Sequence, residues 1–301
     1  MPKILVSGLI NIETTLRVEH FPIHYHPVRY PFWGVHTTVS GVGYNVAKAL
    51  TALGDEVALL TLIGRDGQGR LAEDALAADG IPAAGVRADL AETPQSVILY
   101  DGEGRRQINV DLKDIQEREY PRAAFEHALD GCVLAALCNI NFARPFLGIA
   151  KARGIPIATD VHAIADLDDD YNRDFMAAAD LLFMSDERLP TSPEAWAEAV
   201  MARYQPQVLV IGLGGAGALL MERGQPGSTR LPAVHTREVV NTIGAGDALF
   251  SAFVHFYAQA RNAHAALRKA MVFASYKIGE KGAADGFLTA DELDAWLRRL
   301  K

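Results

Sequence analysis

The residues best suited to chemistry lie near the C-terminal third, in Asn241-Thr242-Ile243-Gly244-Ala245-Gly246-Asp247-Ala248-Leu249-Phe250-Ser251-Ala252-Phe253. Three small residues precede an Asp, and that Asp opens a run of small and apolar residues with helical character. Gly244, Ala245 and Gly246 let the backbone approach a ligand closely, and the free N–H groups of a helix start attract anions. Phosphoryl transfer needs such a donor nest for the charge on the transferred group. It also needs a carboxylate beside the attacking hydroxyl to take its proton. Asp247, in the first turn, is placed to serve both. Taken alone, Gly244–Asp247 also reads as a turn with a capping carboxylate.

A second constellation lies near the N-terminus. Ser40-Gly41-Val42-Gly43-Tyr44-Asn45-Val46-Ala47 pairs two glycines with a side-chain amide, a combination that can hold a polyhydroxylated ligand at close range. The plainer alternative for Gly41 and Gly43 is a tight turn that caps the following helix. Together with Gly8-Leu9-Ile10-Asn11-Ile12-Glu13, Ile63-Gly64-Arg65-Asp66-Gly67-Gln68-Gly69 and Lys281-Gly282-Ala283, these segments occur in one order along the chain. In that order, and with the 241–253 stretch, the sequence resembles the ribokinase-like, or PfkB, family of carbohydrate and nucleoside kinases.

The resemblance implies an α/β fold, a three-layer α/β/α arrangement on a mostly parallel sheet with a small β-sheet lid. It also implies ATP and Mg²⁺. Gly244, Ala245 and Gly246 then form the anion hole and Asp247 is the general base. Asn11, Glu13, Gly41, Gly43 and Asn45 face the acceptor; Gly212, Gly214, Gly217, Thr242 and Gly282 lie on the nucleotide side. The chain departs from the family pattern in places. Glu13 stands where Asp is usual, one methylene further out. Asn241 replaces an Asp that helps bind a monovalent cation in some members, which weighs against potassium activation. Ser185-Asp186-Glu187-Arg188 replaces an Asn-x-x-Glu motif linked to Mg²⁺. Asp186 and Glu187 are the substitutes on offer, through metal-bound water, although Glu187 also reads as a solvated charge. Gly212-Leu213-Gly214 lacks a hydroxyl common on the nucleotide side.

Two other patterns compete. Gly212-Leu213-Gly214-Gly215-Ala216-Gly217 fits the dinucleotide fingerprint, which requires a crossover helix to follow. Ala218-Leu219-Leu220-Met221-Glu222-Arg223 instead stops at Gly224 and Pro226, so a strand and turn are expected and NAD is not. His20, His24, His26 and His36 cluster without a Cys or supporting carboxylate pattern, and are read as lid surface or substrate contacts rather than zinc ligands.

The elements that must carry these residues follow from periodicity. Ile4–Gly8, Val57–Ile63, Cys132–Leu137, Ile155–Thr159, Leu181–Met184 and Val208–Ile211 are short apolar runs that predict buried strands. Asn45–Leu53, Gly69–Ala78, Arg144–Arg153, Arg173–Ala179 and Pro193–Arg203 predict helices between them, with Gly246–Gln259, Ala263–Ile278 and Ala290–Leu300 as a helical tail. The alternation implies a largely parallel sheet covered on both faces. Glu13–Ser40 and Ser96–Asp111 break the rhythm. The second predicts a hairpin turning at Asp101-Gly102-Glu103-Gly104. The expectation is one domain over residues 1–301, with a lid formed by about 13–40 and 96–111.

Half of the 301 residues are hydrophobic, ample for a large core. The net charge of −8 and pI near 5.6 argue against a nucleic-acid partner. The start of the chain has no signal-peptide pattern, and no apolar run is long enough to span a membrane, so a cytoplasmic location is expected. Cys132 and Cys138 would stand roughly 20 Å apart on one strand, too far to bridge. The aromatics Phe21, Tyr25, Tyr30, Phe32 and Trp33 favour neither sugar nor nucleoside. Arg17, Arg29, Arg105 and Arg106 are candidates for a phosphorylated acceptor. A free sugar ranks first as substrate, with a nucleoside and then a sugar phosphate behind it; a ligand sensor without catalysis is the contrasting class. Open lid strands invite a homodimer.

Overall fold

The structure, a computed structural model, describes residues 2–300. In chain order it contains β1 (Lys3–Ser7), β2 (Asn11–Arg17), β3 (Val35–Ser40), α1 (Val42–Ala52), β4 (Glu56–Gly64), α2 (Gly67–Ala78), β5 (Val86–Leu90), β6 (Gln95–Tyr100) and β7 (Arg106–Asp111). There follow α3 (Arg122–Leu129), β8 (Leu134–Leu137), α4 (Phe146–Ala152), β9 (Ile157–Asp160), α5 (Arg173–Ala178), β10 (Leu181–Ser185), α6 (Pro193–Tyr204) and β11 (Val208–Gly212). The chain closes with β12 (Ala218–Glu222), β13 (Thr229–Leu231), α7 (Ala245–Ala260), α8 (Ala263–Lys277) and α9 (Ala290–Arg299).

Nine strands form the main sheet in the order β13-β12-β11-β10-β9-β8-β1-β4-β5. From β11 to β5 every pairing is parallel, and β12 and β13 join antiparallel at one edge. Parallel strands buried on both faces have continuous apolar sequences, as in Ile4-Leu5-Val6. The side-chain alternation sorts these between two cores. Ile4 and Val6 pack with α1, α2, α7, α8 and α9, whereas Leu5 packs with α3, α4, α5 and α6. This is the layered α/β/α arrangement expected, with helices on both faces.

The second sheet has four strands in the order β3-β2-β6-β7. β2 pairs antiparallel with β3 and parallel with β6, and β6 and β7 form the hairpin across Asp101–Gly104. Asp101 fixes that turn by accepting from the Glu103 and Arg105 amides, each at 3.0 Å. The sheet begins at Asn11 rather than Glu13, and residues 18–34 form no strand. Helix α3 and strand β5 were not anticipated; α3 is short and mixes charge with apolar residues, and β5 alternates half-buried and exposed positions at a sheet edge before the buried Leu90.

Candidate active site

The site is assembled where the parallel strands end. β1 runs through Gly8 directly towards β2, β9 ends at Asp160, β10 is followed by Asp186, and β11 ends at Gly212. Carboxyl ends of parallel strands are where α/β sheets bind ligands, because loops and helix starts converge there.

Two glycines hold α1 against the end of β1. A Cβ at Gly43 would overlap the backbone of Gly8, and Gly41, at φ 100°, has the Leu9 carbonyl 2.6 Å from where its Cβ would stand. Gly43 donates its N–H to Leu9 O at 2.9 Å, so its role here is close packing of helix on strand. This seats Asn45 at the second turn of α1, where Nδ2 donates to Asp247 Oδ2 at 2.6 Å.

Asp247 lies in the first turn of α7, behind the cap residue Gly244 at φ 76°. The left-handed conformation suits glycine, and a Cβ there would collide with the Ala283 backbone. At the helix start the Ala245 N–H donates to Thr242 O at 3.2 Å, whereas the N–H groups of Gly246 and Asp247 have no partner among the described residues, and Gly246 is exposed, which leaves the helix start open on one side. Burial raises the Asp247 carboxyl above the ordinary Asp range. The Asn45 amide and the charges of His162 and Lys277 pull it down, while Asp160 pushes it further up.

Asn11 and Glu13, two apart on β2 and so on one face, are both buried. Asn11 Nδ2 donates to Ser96 Oγ at 3.0 Å, and Ser40 Oγ donates to Glu13 Oε2 at 3.1 Å. Their other oxygens, Asn11 Oδ1 and Glu13 Oε1, are buried without a partner among the described residues. Leaving a buried acceptor unmet costs roughly 1–3 kcal/mol, a cost that a donor from water or from a bound ligand would relieve. Burial raises the Glu13 carboxyl and the Asp247 charge adds to the rise, against the Ser40 hydroxyl, the Lys277 charge and the Ala283 backbone amide.

On the other side, Gly212–Gly217 makes a tight turn between β11 and antiparallel β12, with Gly214 at φ 52° and Gly217 at φ 104°. No crossover helix follows, as expected for a turn that is not a dinucleotide fingerprint. The Cα of Gly214 and of Gly215 faces open space. Gly282 is buried, donates its N–H to Asp285 Oδ2 at 3.1 Å and faces Thr38 of β3, so it seats its loop against the small sheet. Thr242 Oγ1 accepts from Arg106 Nη1 at 3.0 Å, and Arg106 Nη2 reaches Glu187 Oε1 at 2.5 Å. One lid arginine thus ties the loop before α7 to the turn after β10. Asp186 is half-buried, and burial followed by the nearby Glu187 charge raises its carboxyl.

No group of three or more His, Cys, Asp or Glu side chains able to hold a metal occurs among the described residues. A nucleotide-bound Mg²⁺ needs less, one or two carboxylates with phosphate and water completing its shell. Asp186 offers a carboxylate of that kind, whereas Glu187 has its Oε1 on Arg106 Nη2 and leaves only its other oxygen for such a role.

Sequence reasoning missed Asp160, His162 and Lys277. Asp160 Oδ2 lies 3.8 Å from where a Gly246 Cβ would stand, and Asp160 Oδ1 accepts from the His162 amide at 2.8 Å. Asp160 ends an apolar strand run, and that was its one signal. Lys277 is fully buried, with Nζ donating to Ile243 O. Its signal was position: it continues the buried stripe of Ala266, Ala270 and Phe273 on α8, where a polar residue is unexpected.

The pattern of the pfkB family carbohydrate kinases matches residues 1–290. The chain belongs to that family. This kinase is 28% identical over 313 residues to the ATP-dependent ribose-1-phosphate kinase of Halopiger xanaduensis, covering 99% of this chain and 98% of that one. It is 30% identical over 262 residues to the 1-phosphofructokinase of Haloferax volcanii, covering 81% of each. Among solved structures, a microbiome-derived acarbose kinase superposes with a TM-score of 0.87 at 28% identity, over 99% of both chains. The protein is an ATP-dependent carbohydrate kinase with the ribokinase-like fold.

Proposed function

We propose that this kinase moves the γ-phosphoryl group of ATP onto a hydroxyl of a free sugar, with Asp247 as general base. The observation that carries the reading is the Asp247 carboxylate. It sits at the open start of α7 with one oxygen held by Asn45, and is close enough to bear on Glu13, whose free oxygen awaits a donor. The acceptor oxygen attacks the γ-phosphorus, its proton passes to Asp247, and the bond from phosphorus to the ADP oxygen breaks. Gly244, Ala245 and Gly246 offer backbone donors to the transferring group.

Asn11, Glu13, Gly41, Gly43 and Asn45 form the acceptor side, the first two through their unmet oxygens and the glycines through backbone placement. ATP lies along Gly212, Gly214, Gly217 and Thr242, with Gly282 closing the loop beside them. Asp186 and Glu187 would hold Mg²⁺, which supplies neutralising charge to the phosphates when bound. We read residues 1–301 as one unit in which segments 13–40 and 96–111 cover the acceptor and exclude water.

Exposed Tyr25, Tyr30, Phe32 and Trp33, with open strand edges at β3 and β7, support a homodimer through the lid. Both cysteines are free and buried, which supports a reducing, cytoplasmic setting. No helix among the described residues is long and apolar enough to cross a membrane.

One observation favours a phosphorylated sugar instead: Arg106, from the lid, reaches the loop before α7. In this structure Arg106 is committed to Glu187, Arg29 to Glu19 and Arg105 to Asp101, which leaves Arg17 as the one candidate outside an ion pair among the described residues and no free pair for a phosphate, so a free sugar fits better. ADP release measured against free sugars, sugar phosphates and nucleosides decides. The fastest turnover is expected with a free sugar. Preference for a sugar phosphate would move the assignment to that class, and ATP binding without turnover on any panel member would leave a sensor.

A further inference from the structure

A lysine with no exposed surface needs a reason, because burying an ammonium costs several kcal/mol unless charge and hydrogen bonds compensate. Lys277 closes α8 with its side chain pointing into the loop that precedes α7, and Nζ donates to the carbonyl of Ile243. The same loop is stitched to the chain after α8 at three further places. The Val240 amide meets Ile278 O at 2.9 Å, Asn241 Nδ2 meets Lys281 O at 2.8 Å, and Gly244 lies against Ala283. Lys277 differs from these in bringing charge. The charged groups it faces are Glu13 from β2, Asp247 from α7, and Asp285 and Glu280 from the segment after α8.

We propose that Lys277 is a positioning residue for phosphoryl transfer, a built-in cation that fixes the Ile243–Gly244 peptide and holds positive charge near Glu13 and Asp247. The geometry follows from the trans peptide. The carbonyl and amide of one peptide unit point in opposite directions, so anchoring Ile243 C=O inward turns the Gly244 N–H outward. Gly244 is the first residue of the nest, and a peptide flip there would replace a donor with a carbonyl that repels phosphate. The fixed charge also keeps two neighbouring carboxylates, Glu13 and Asp247, from driving each other towards the protonated form. Burial lowers the Lys277 ammonium to about 8, and its carboxylate neighbours keep it from falling further.

This inference rests on the kinase reading, and its test begins with wild-type turnover, so that failure of the two can be told apart. Without wild-type ADP release the kinase reading itself fails. Given wild-type turnover, Lys277→Met, which keeps the stem and removes the charge, should lower kcat at least 30-fold while ATP affinity moves less than threefold. Lys277→Ala opens a cavity beside the Ile243 carbonyl that a small cation can enter. Its kcat should recover at least tenfold with added ammonium or methylammonium, and not with tetramethylammonium, while wild type is indifferent to all three. Comparing the wild-type and Lys277→Met profiles assigns any loss of kcat above about pH 8, which the variant should not show if it comes from this ammonium. A folded Lys277→Met enzyme with wild-type kcat, or a Lys277→Ala enzyme that no cation restores, would overturn the proposal.

Discussion

Asn45 Nδ2 and Asp247 Oδ2 lie 2.6 Å apart across 202 residues of chain, joining the second turn of α1 to the first turn of α7. The amide donates to one carboxylate oxygen and leaves the other for the proton transfer proposed above. It also fixes the plane of the carboxylate, the geometry a base needs before its strength matters. Asp247→Asn keeps the shape and removes the basicity. Its kcat should fall by about 10²–10⁴ while ATP affinity stays within threefold, measured by single-turnover ADP release and nucleotide titration. Unchanged turnover would remove Asp247 as the base.

The acid limb of the pH profile should lie above the range of an ordinary Asp. Burial raises the Asp247 carboxyl from 3.8, so on acidification the folded protein protonates this group at a higher pH than the unfolded chain does. A protonated carboxylic acid cannot take the hydroxyl proton, so kcat falls as pH drops through the raised value. Stability moves the other way for the same group. Between 3.8 and the raised value the folded state binds more protons than the unfolded state, so this group's contribution to stability declines as pH rises through that window. Asp247→Asn should flatten that part of the stability profile in chemical denaturation. An acid limb at or below 3.8 would contradict the buried setting.

The main sheet was readable because parallel strands buried on both faces leave uninterrupted apolar runs, and each of the six runs picked out falls within or overlaps a strand. Asp247 and Asn45 were readable as types beside glycines, but their contact was not, since nothing local encodes a pairing over 202 residues. Lys277 illustrates the harder case. A lysine in the last turn of a helix is also what the helix dipole favours at a surface, so its charge gave no hint of complete burial. Glu187 was read as either a metal ligand or a solvated charge, and its partner Arg106 sits on a lid strand, 81 residues away.

Arg106→Ala should show that pairing to be functional rather than stabilising. Both side chains are substantially solvent-exposed, and ion pairs of that kind contribute at most about 1 kcal/mol. The melting temperature should therefore barely move. KM for ATP should change at least fivefold if Thr242 and Glu187 serve the nucleotide as proposed, because both lose the group that holds them. A large drop in melting temperature with unchanged KM would make Arg106 a structural tie instead.

Gly244 and Gly104 offer a matched pair that separates backbone strain from close approach. Both have left-handed φ, 76° and 84°. An alanine at either pays roughly 1–3 kcal/mol for that conformation. At Gly104, in the hairpin turn of the lid, nothing lies within 4 Å of the added methyl, so Gly104→Ala should show the strain alone and keep its kcat. At Gly244 the methyl meets the Ala283 backbone, which cannot move aside without shifting the loop that carries Asn241 and the nest. Gly244→Ala should therefore lose more stability than Gly104→Ala in urea unfolding. Its kcat should fall at least tenfold, since a displaced nest no longer aims its N–H groups at the transferring phosphoryl. Equal effects at the two positions would mean that the contact with Ala283 is slack, and that the start of α7 tolerates a shift that phosphoryl transfer should not.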